Sequence, residues 1–168
     1  FNYLLAKTSL EFTNIVYLIH EMKHKSFLTL LAFTLIVGLT GCEKIPPLSE
    51  RIAKTWRAGI VLWSGTTVYS RGGTSNTTTG YTNYSLQLTT AGSVILREFT
   101  GETFNGQWEL VGESTLVLKN LSPAPTGTNG TIEYKIDSIS DTELKLSSTT
   151  AYAKTGDKTV TLNLQIVQ

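Results

Sequence analysis

From Trp56 to the C-terminus apolar and polar residues alternate in short runs broken by Gly, Asn, Ser and Pro, and this period constrains the fold more than any other feature of the chain. Successive side chains of a strand point to opposite faces, so period two marks strands with one buried face. Trp56, Ala58, Ile60 and Leu62 share one phase, and Tyr84, Leu86 and Leu88 share another. Val94 and Leu96 follow in a run that carries Ile95 and Phe99 on its other face, which predicts a strand covered on both sides or lying at a sheet corner. Phe104, Gly106, Trp108 and Leu110 alternate with polar residues, and Gly112-Glu113-Ser114 turns that run into Leu116 and Leu118 as a hairpin. Ile132, Tyr134 and Ile136 pass through Ser140-Asp141-Thr142 into Leu144 and Leu146, and Val160, Leu162, Leu164 and Ile166 form the last run. The expectation is an all-β domain of about eight strands.

The N-terminal third reads differently. Met22-Lys23-His24-Lys25 precedes an apolar run, Phe27 to Leu39, and then Leu39-Thr40-Gly41-Cys42. Cations, an apolar stretch and a small-residue site make the tripartite pattern of a removable export signal over residues 22–41. Crossing a membrane takes about 20 apolar residues, more than this run supplies. Ile45-Pro46-Pro47 directly after it cannot continue a helix. Leu-Thr-Gly-Cys resembles the bacterial lipobox, and that resemblance implies cleavage between Gly41 and Cys42 and a lipid on the Cys42 sulfur. Residues 1–21 precede the only methionine and read as a segment translated from a start assigned too far upstream.

Cys42 to Gln168 has the length of one domain, with residues 42–50 as an acylated anchor linker and residues 51–168 as the folded unit. Seven Lys and four Arg balance eleven Asp and Glu in this part, scattered singly, so no charge pattern points to nucleic acid or to a lipid headgroup. Both histidines, His20 and His24, lie upstream of Cys42, the only cysteine. That removes the usual general base, the Ser-His and Cys-His pairs and the common soft-metal ligands. No cofactor and no metal are expected. The carboxylates that remain fall mostly at turns or on the polar phase of strands, where solvated surface groups are the ordinary outcome, so no catalytic residue is assigned.

Leu48 to Lys54 predicts one helical turn with Ser49 as its cap. Two longer connections, Tyr69 to Tyr81 and Leu121 to Gly130, interrupt the strands. Gly72-Gly73 in the first lacks the lysine and helix of a phosphate loop and reads as turn chemistry. The helical turn leading into Lys54-Thr55-Trp56, together with Gly106-Gln107-Trp108-Glu109-Leu110 and Ile139-Ser140-Asp141-Thr142-Glu143-Leu144, resembles the lipocalin-like lipoproteins of Bacteroidetes-type bacteria. The resemblance implies an eight-stranded antiparallel up-and-down barrel, with a flattened β-sandwich as the alternative. Trp56 stands where lipocalins place their first-strand Trp. Lys54 stands where they place Gly, and the last strand has none of the Arg that packs beside that Trp.

Aromatic residues are plentiful. Trp56, Tyr84, Phe104, Trp108 and Tyr134 are in phase with the aliphatic residues and are assigned to the core. Trp63, Tyr69, Arg71 and Tyr81 flank the first long connection outside the alternation, and they are the candidate rim of a ligand site. Two function classes follow. One is a lipid-anchored envelope module, more at the outer than the inner membrane, binding a small apolar or amphipathic ligand. The other is a solid barrel that docks on an envelope protein. Asp137-Ser138-Ile139 resembles an O-glycosylation signal of such envelope proteins and reads first as a strand end entering a turn.

Overall fold

A computed structural model describes residues 45–166. The upstream segment 1–21, the export signal 22–41 and the Gly41-Cys42 junction lie outside the described residues. A short helix, α1 (Leu48–Ile52), precedes nine strands: β1 (Thr55–Trp63), β2 (Thr66–Ser70), β3 (Ser85–Leu88), β4 (Ser93–Arg97), β5 (Thr103–Val111), β6 (Thr115–Ser122), β7 (Ile132–Ile139), β8 (Glu143–Ser148) and β9 (Val160–Ile166). All pairings are antiparallel, and β9 returns to pair with β1 from Trp56↔Ile166 to Trp63↔Val160. That last ladder closes the sheet, so the architecture is a barrel and not a flattened sandwich.

Eight strand positions complete the circle, although nine strands build it. β2 pairs with the Ile60–Trp63 half of β1, and β3 pairs with the Thr55–Arg57 half on the same side. The two short strands therefore share one position, separated by the first long connection. That connection is tied down. The Asn76 side chain accepts from Ser70 N at 2.7 Å and donates to Ser70 O and Gly73 O, and Thr77 N and Thr78 N donate to Val68 O.

The interior is apolar and continuous. Trp56, Leu86, Leu96, Phe104, Leu118, Leu144, Leu146, Leu162 and Leu164 are all at most 1% exposed. Each such side chain is worth about 1.5–3 kcal/mol against leaving it in water. Two expectations about phase need correction. Trp56 and Ala58 point inward, but the inward sequence then jumps to Val61, leaving Ile60 41% exposed and Leu62 half-buried. The cause is a bulge at Gly59, where the β1–β9 register shifts. A Cβ at Gly59 would sit 2.9 Å from the Gln165 side chain, so glycine lets the strands approach there. Ile95 is 41% exposed on the outer face of β4, which is therefore covered on one side only, and Phe99 lies beyond the strand end.

α1 plugs one end of the barrel. Ile52 is fully buried and its carbonyl accepts from Trp56 Nε1 at 2.9 Å. Arg51 Nη2 donates to Ile139 O and Lys54 Nζ to Asp141 O, which fastens the helix to the β7–β8 turn. Lys54 Nζ also stands 5.8 Å from the Trp56 ring centroid, supplying a cation beside the first-strand Trp although the last strand has no Arg. The helix starts at Pro47 without a side-chain cap, and Ser49 lies inside it, because Pro47 O already accepts from Glu50 N and Arg51 N.

Candidate functional site

Opposite α1 the barrel opens into a cavity of about 320 Å³, at the small end of the range of ligand pockets. Three segments wall it: the corner Glu98–Phe99 after β4, the β6–β7 connection at Gly127 and Thr128, and the β8–β9 connection from Ser148 to Tyr152. Tyr81 from the 3₁₀ turn Thr79–Asn83, Tyr84 just before β3 and Tyr134 from β7 reach in, and Val160 and Leu162 form apolar floor. The lining thus combines apolar faces with phenols and with the hydroxyls of Thr128, Thr131, Thr149 and Thr150.

Behind the phenols stands one buried carboxylate. Glu98 is 3% exposed, an exception to the solvated setting expected for most of the acidic residues. The Tyr152 hydroxyl donates to its Oε1, and Lys154 Nζ donates to its Oε2 at 2.6 Å. Lys154 reaches Glu102 Oε2 at 2.5 Å as well, and stands 4.8 Å over the Phe104 ring. Glu98 opens the turn after β4, where its amide donates to Glu102 O. A short 3₁₀ turn, Ala153–Thr155, presents Tyr152 and Lys154 to it. Thr155 holds that turn, its hydroxyl donating to Tyr152 O at 2.7 Å and accepting from Lys158 N.

This network sets the protonation states. Burial, then the hydrogen bond and the charge of Glu98, push the Tyr152 phenol far above its ordinary value, so it remains a donor. Burial alone would lower the Lys154 ammonium, but the Glu102 and Glu98 carboxylates outweigh it and hold the group above its ordinary value. Burial pushes Tyr81 up to about 12, partly offset by the bond from Trp63 and reinforced by Glu98. Tyr84 and Tyr134 are raised as well, burial again first. The Tyr84 hydroxyl is buried beside that of Tyr134, near enough for each to bear on the other's proton, yet makes no hydrogen bond within 3.5 Å among the described residues.

The four residues singled out as a rim separate. Tyr81 lines the cavity and is 2% exposed. Trp63 stands behind it, donating Nε1–H to the Tyr81 hydroxyl at 3.0 Å. Tyr69 is buried with its ring 6.0 Å from that of Tyr81, and Phe99 stacks on Tyr81 at 4.8 Å. Arg71 is remote from the opening. Its guanidinium donates twice to Ala58 O and its amide to Gly59 O, which satisfies carbonyls at the β1 bulge. The contact that places Tyr81 depends on Gly80, where a Cβ would fall 2.0 Å from Phe99 O. Of the five aromatic residues assigned to the core all are buried, and Tyr84 and Tyr134 also line the cavity. Glu98, Tyr152 and Lys154 carry no shared signal, being 54 and 56 residues apart in the chain. Only the break in alternation at Glu98, an acid next to the out-of-phase Phe99, marks the place.

No family model matches the sequence, and no curated protein matches it. Among solved structures, the chain is similar to a lipocalin-like protein from Bacteroides uniformis, with 16% identity and a TM-score of 0.45 over 70% of this chain and 99% of that one. It is also similar to an uncharacterized protein from Bacteroides eggerthii, with 12% identity and a TM-score of 0.41 over 68% of this chain and 98% of that one.

Proposed function

We propose that this protein is a lipid-anchored envelope module whose barrel binds a small amphipathic molecule at its open end. The observation that carries the reading is the unfilled cavity itself, since a docking barrel has no need of interior space beside an otherwise close-packed core. Apolar floor and hydroxyl-bearing walls suit a ligand with an apolar body and a polar group. Glu98 is committed to Tyr152 and Lys154, so the reading includes no catalytic step. Attachment rests on the sequence pattern ending at Cys42, from which residues 43–47 lead to α1.

Binding is tested by titrating the protein with an uncharged naphthyl hydrocarbon and following tryptophan and tyrosine emission. Saturable binding that is lost in Ala151→Trp, which places an indole at the mouth of the cavity, is the expected result. Binding unaffected by that substitution would refute the site. Attachment is tested separately. Cys42→Ser should abolish acylation and, once the signal is cleaved, release the protein into the soluble fraction, and membrane partitioning of the cleaved variant would refute the anchor.

A further inference from the structure

We infer that the cavity selects uncharged ligands carrying an oxygen acceptor at the buried end, which docks on the Tyr84–Tyr134 phenol pair, and that it rejects anionic amphiphiles. This rests on the ligand-binding reading above and narrows its chemistry. A buried hydroxyl without a partner is costly, and Tyr84 holds one at 3% exposure on the cavity wall. Tyr134 is its neighbour on the same wall. A ligand oxygen placed against the pair accepts from Tyr134, while a small approach lets Tyr84, whose hydroxyl is shut off from the cavity, donate to the Tyr134 oxygen. The orphaned Tyr84 proton then joins a connected chain.

Charge decides the rest. Glu98 is the buried carboxylate in the wall, the exposed Glu133 is a second acid of the lining, and the described lining residues include no Lys, Arg or His. Lys154, which balances Glu98, stands outside the lining. A carboxylate or sulfate brought into the cavity would face Glu98 at low dielectric without a cation to meet it. The raised affinity of Tyr81, Tyr84, Tyr134 and Tyr152 for their protons, to which Glu98 contributes in each case, agrees with a site that resists negative charge. A cationic ligand gains little in return. The Glu98 oxygens are already taken by Tyr152 and Lys154 and Glu133 is exposed to water, so an ammonium entering the buried end would lose its water without winning a free counter-ion there.

The test uses four probes of one size: methyl naphthyl ketone, isopropenyl naphthalene, naphthoate and naphthylmethylammonium, titrated into the protein by calorimetry. The ketone should bind about tenfold more tightly than the hydrocarbon, as one hydrogen bond to an otherwise orphaned group provides, and about tenfold or more above naphthoate and the ammonium. In Tyr84→Phe and in Tyr134→Phe the advantage of the ketone over the hydrocarbon should shrink severalfold. Unchanged amide NMR spectra away from the cavity establish that each variant is folded. Ketone and hydrocarbon binding alike, or either charged probe binding most tightly, would overturn this inference while leaving the ligand pocket standing. Failure of all four probes to bind would overturn the pocket reading itself and this inference with it.

Discussion

Replacing Lys154 by Met keeps the length and apolar stem of the side chain and removes its charge. The structure makes the cost asymmetric. Glu102 is exposed on the outer side, where water screens its charge, so losing its ion pair matters little. Glu98 has a side chain only 4% exposed, and without Lys154 it keeps the Tyr152 hydroxyl alone. Stranding a buried charge costs about 3–5 kcal/mol, and the surviving phenol bond places this case near 3 kcal/mol. For a domain of this size that lowers Tm by roughly 10 °C. The double variant Glu98→Gln, Lys154→Met should recover about 2 kcal/mol, because the amide removes the stranded charge. Urea unfolding of the wild type, both single variants and the double variant measures the coupling. The pH dependence has a definite sign. Hydrogen bonds from Lys154 and Thr100 hold the Glu102 carboxyl below its ordinary 4.5, so its contribution is present above pH 4.5 and lost as pH falls through the lowered value. Lys154 is held above its ordinary 10.5, so its contribution is present below pH 10.5 and lost as pH rises through the raised value. A cost under about 1 kcal/mol, or no recovery in the double variant, would refute the reasoning that Glu98 is a buried charge held by this lysine.

Three further outcomes follow from the same geometry. Tyr84→Phe should raise the stability of the ligand-free protein by about 1 kcal/mol, since it deletes a buried hydroxyl that lacks a partner, and denaturant unfolding checks the sign. Gly80→Ala should destabilise by about 2–3 kcal/mol, because its Cβ would overlap Phe99 O and push Tyr81 and Phe99 apart, visible as a shift in their NMR resonances. The Tyr81, Tyr84, Tyr134 and Tyr152 phenols have folded values above the ordinary 10, so the stability they contribute is complete below pH 10 and is lost as pH rises through those values, about 12 for Tyr81. Phenolate absorbance should show these four ionising together with alkaline unfolding and not near pH 10.

The strands were legible because alternation survives wherever one face meets the core. Val160, Leu162 and Leu164 in β9 and Leu144 and Leu146 in β8 point inward in the expected phase, and closure through β1–β9 gives the eight strand positions of the barrel. Alternation failed at Gly59 because a bulge reverses phase without changing composition, so Ile60 and Leu62 read as core while Val61 took that place. The same reversal makes Trp63 look out of phase, although it packs behind Tyr81, while on β2 the neighbours Val68 and Tyr69 are both buried and so break alternation by themselves. Tyr81 was legible as an aromatic residue beside a long connection. The Glu98–Tyr152–Lys154 group was not, because it exists only once the barrel closes and brings the β4–β5 and β8–β9 turns together. Long-range pairing of single polar residues leaves no period for a sequence to display.

The central claim is that the open end of the barrel holds a small molecule. Native mass spectrometry of the protein, isolated gently from the cell envelope with its lipid anchor accounted for by its mass, tests this most directly. The expected result is a reproducible adduct of one small, uncharged molecule, retained in the folded protein, lost on denaturation and absent from Ala151→Trp. A bare mass in wild type and variant alike, from material shown to be folded, would contradict it.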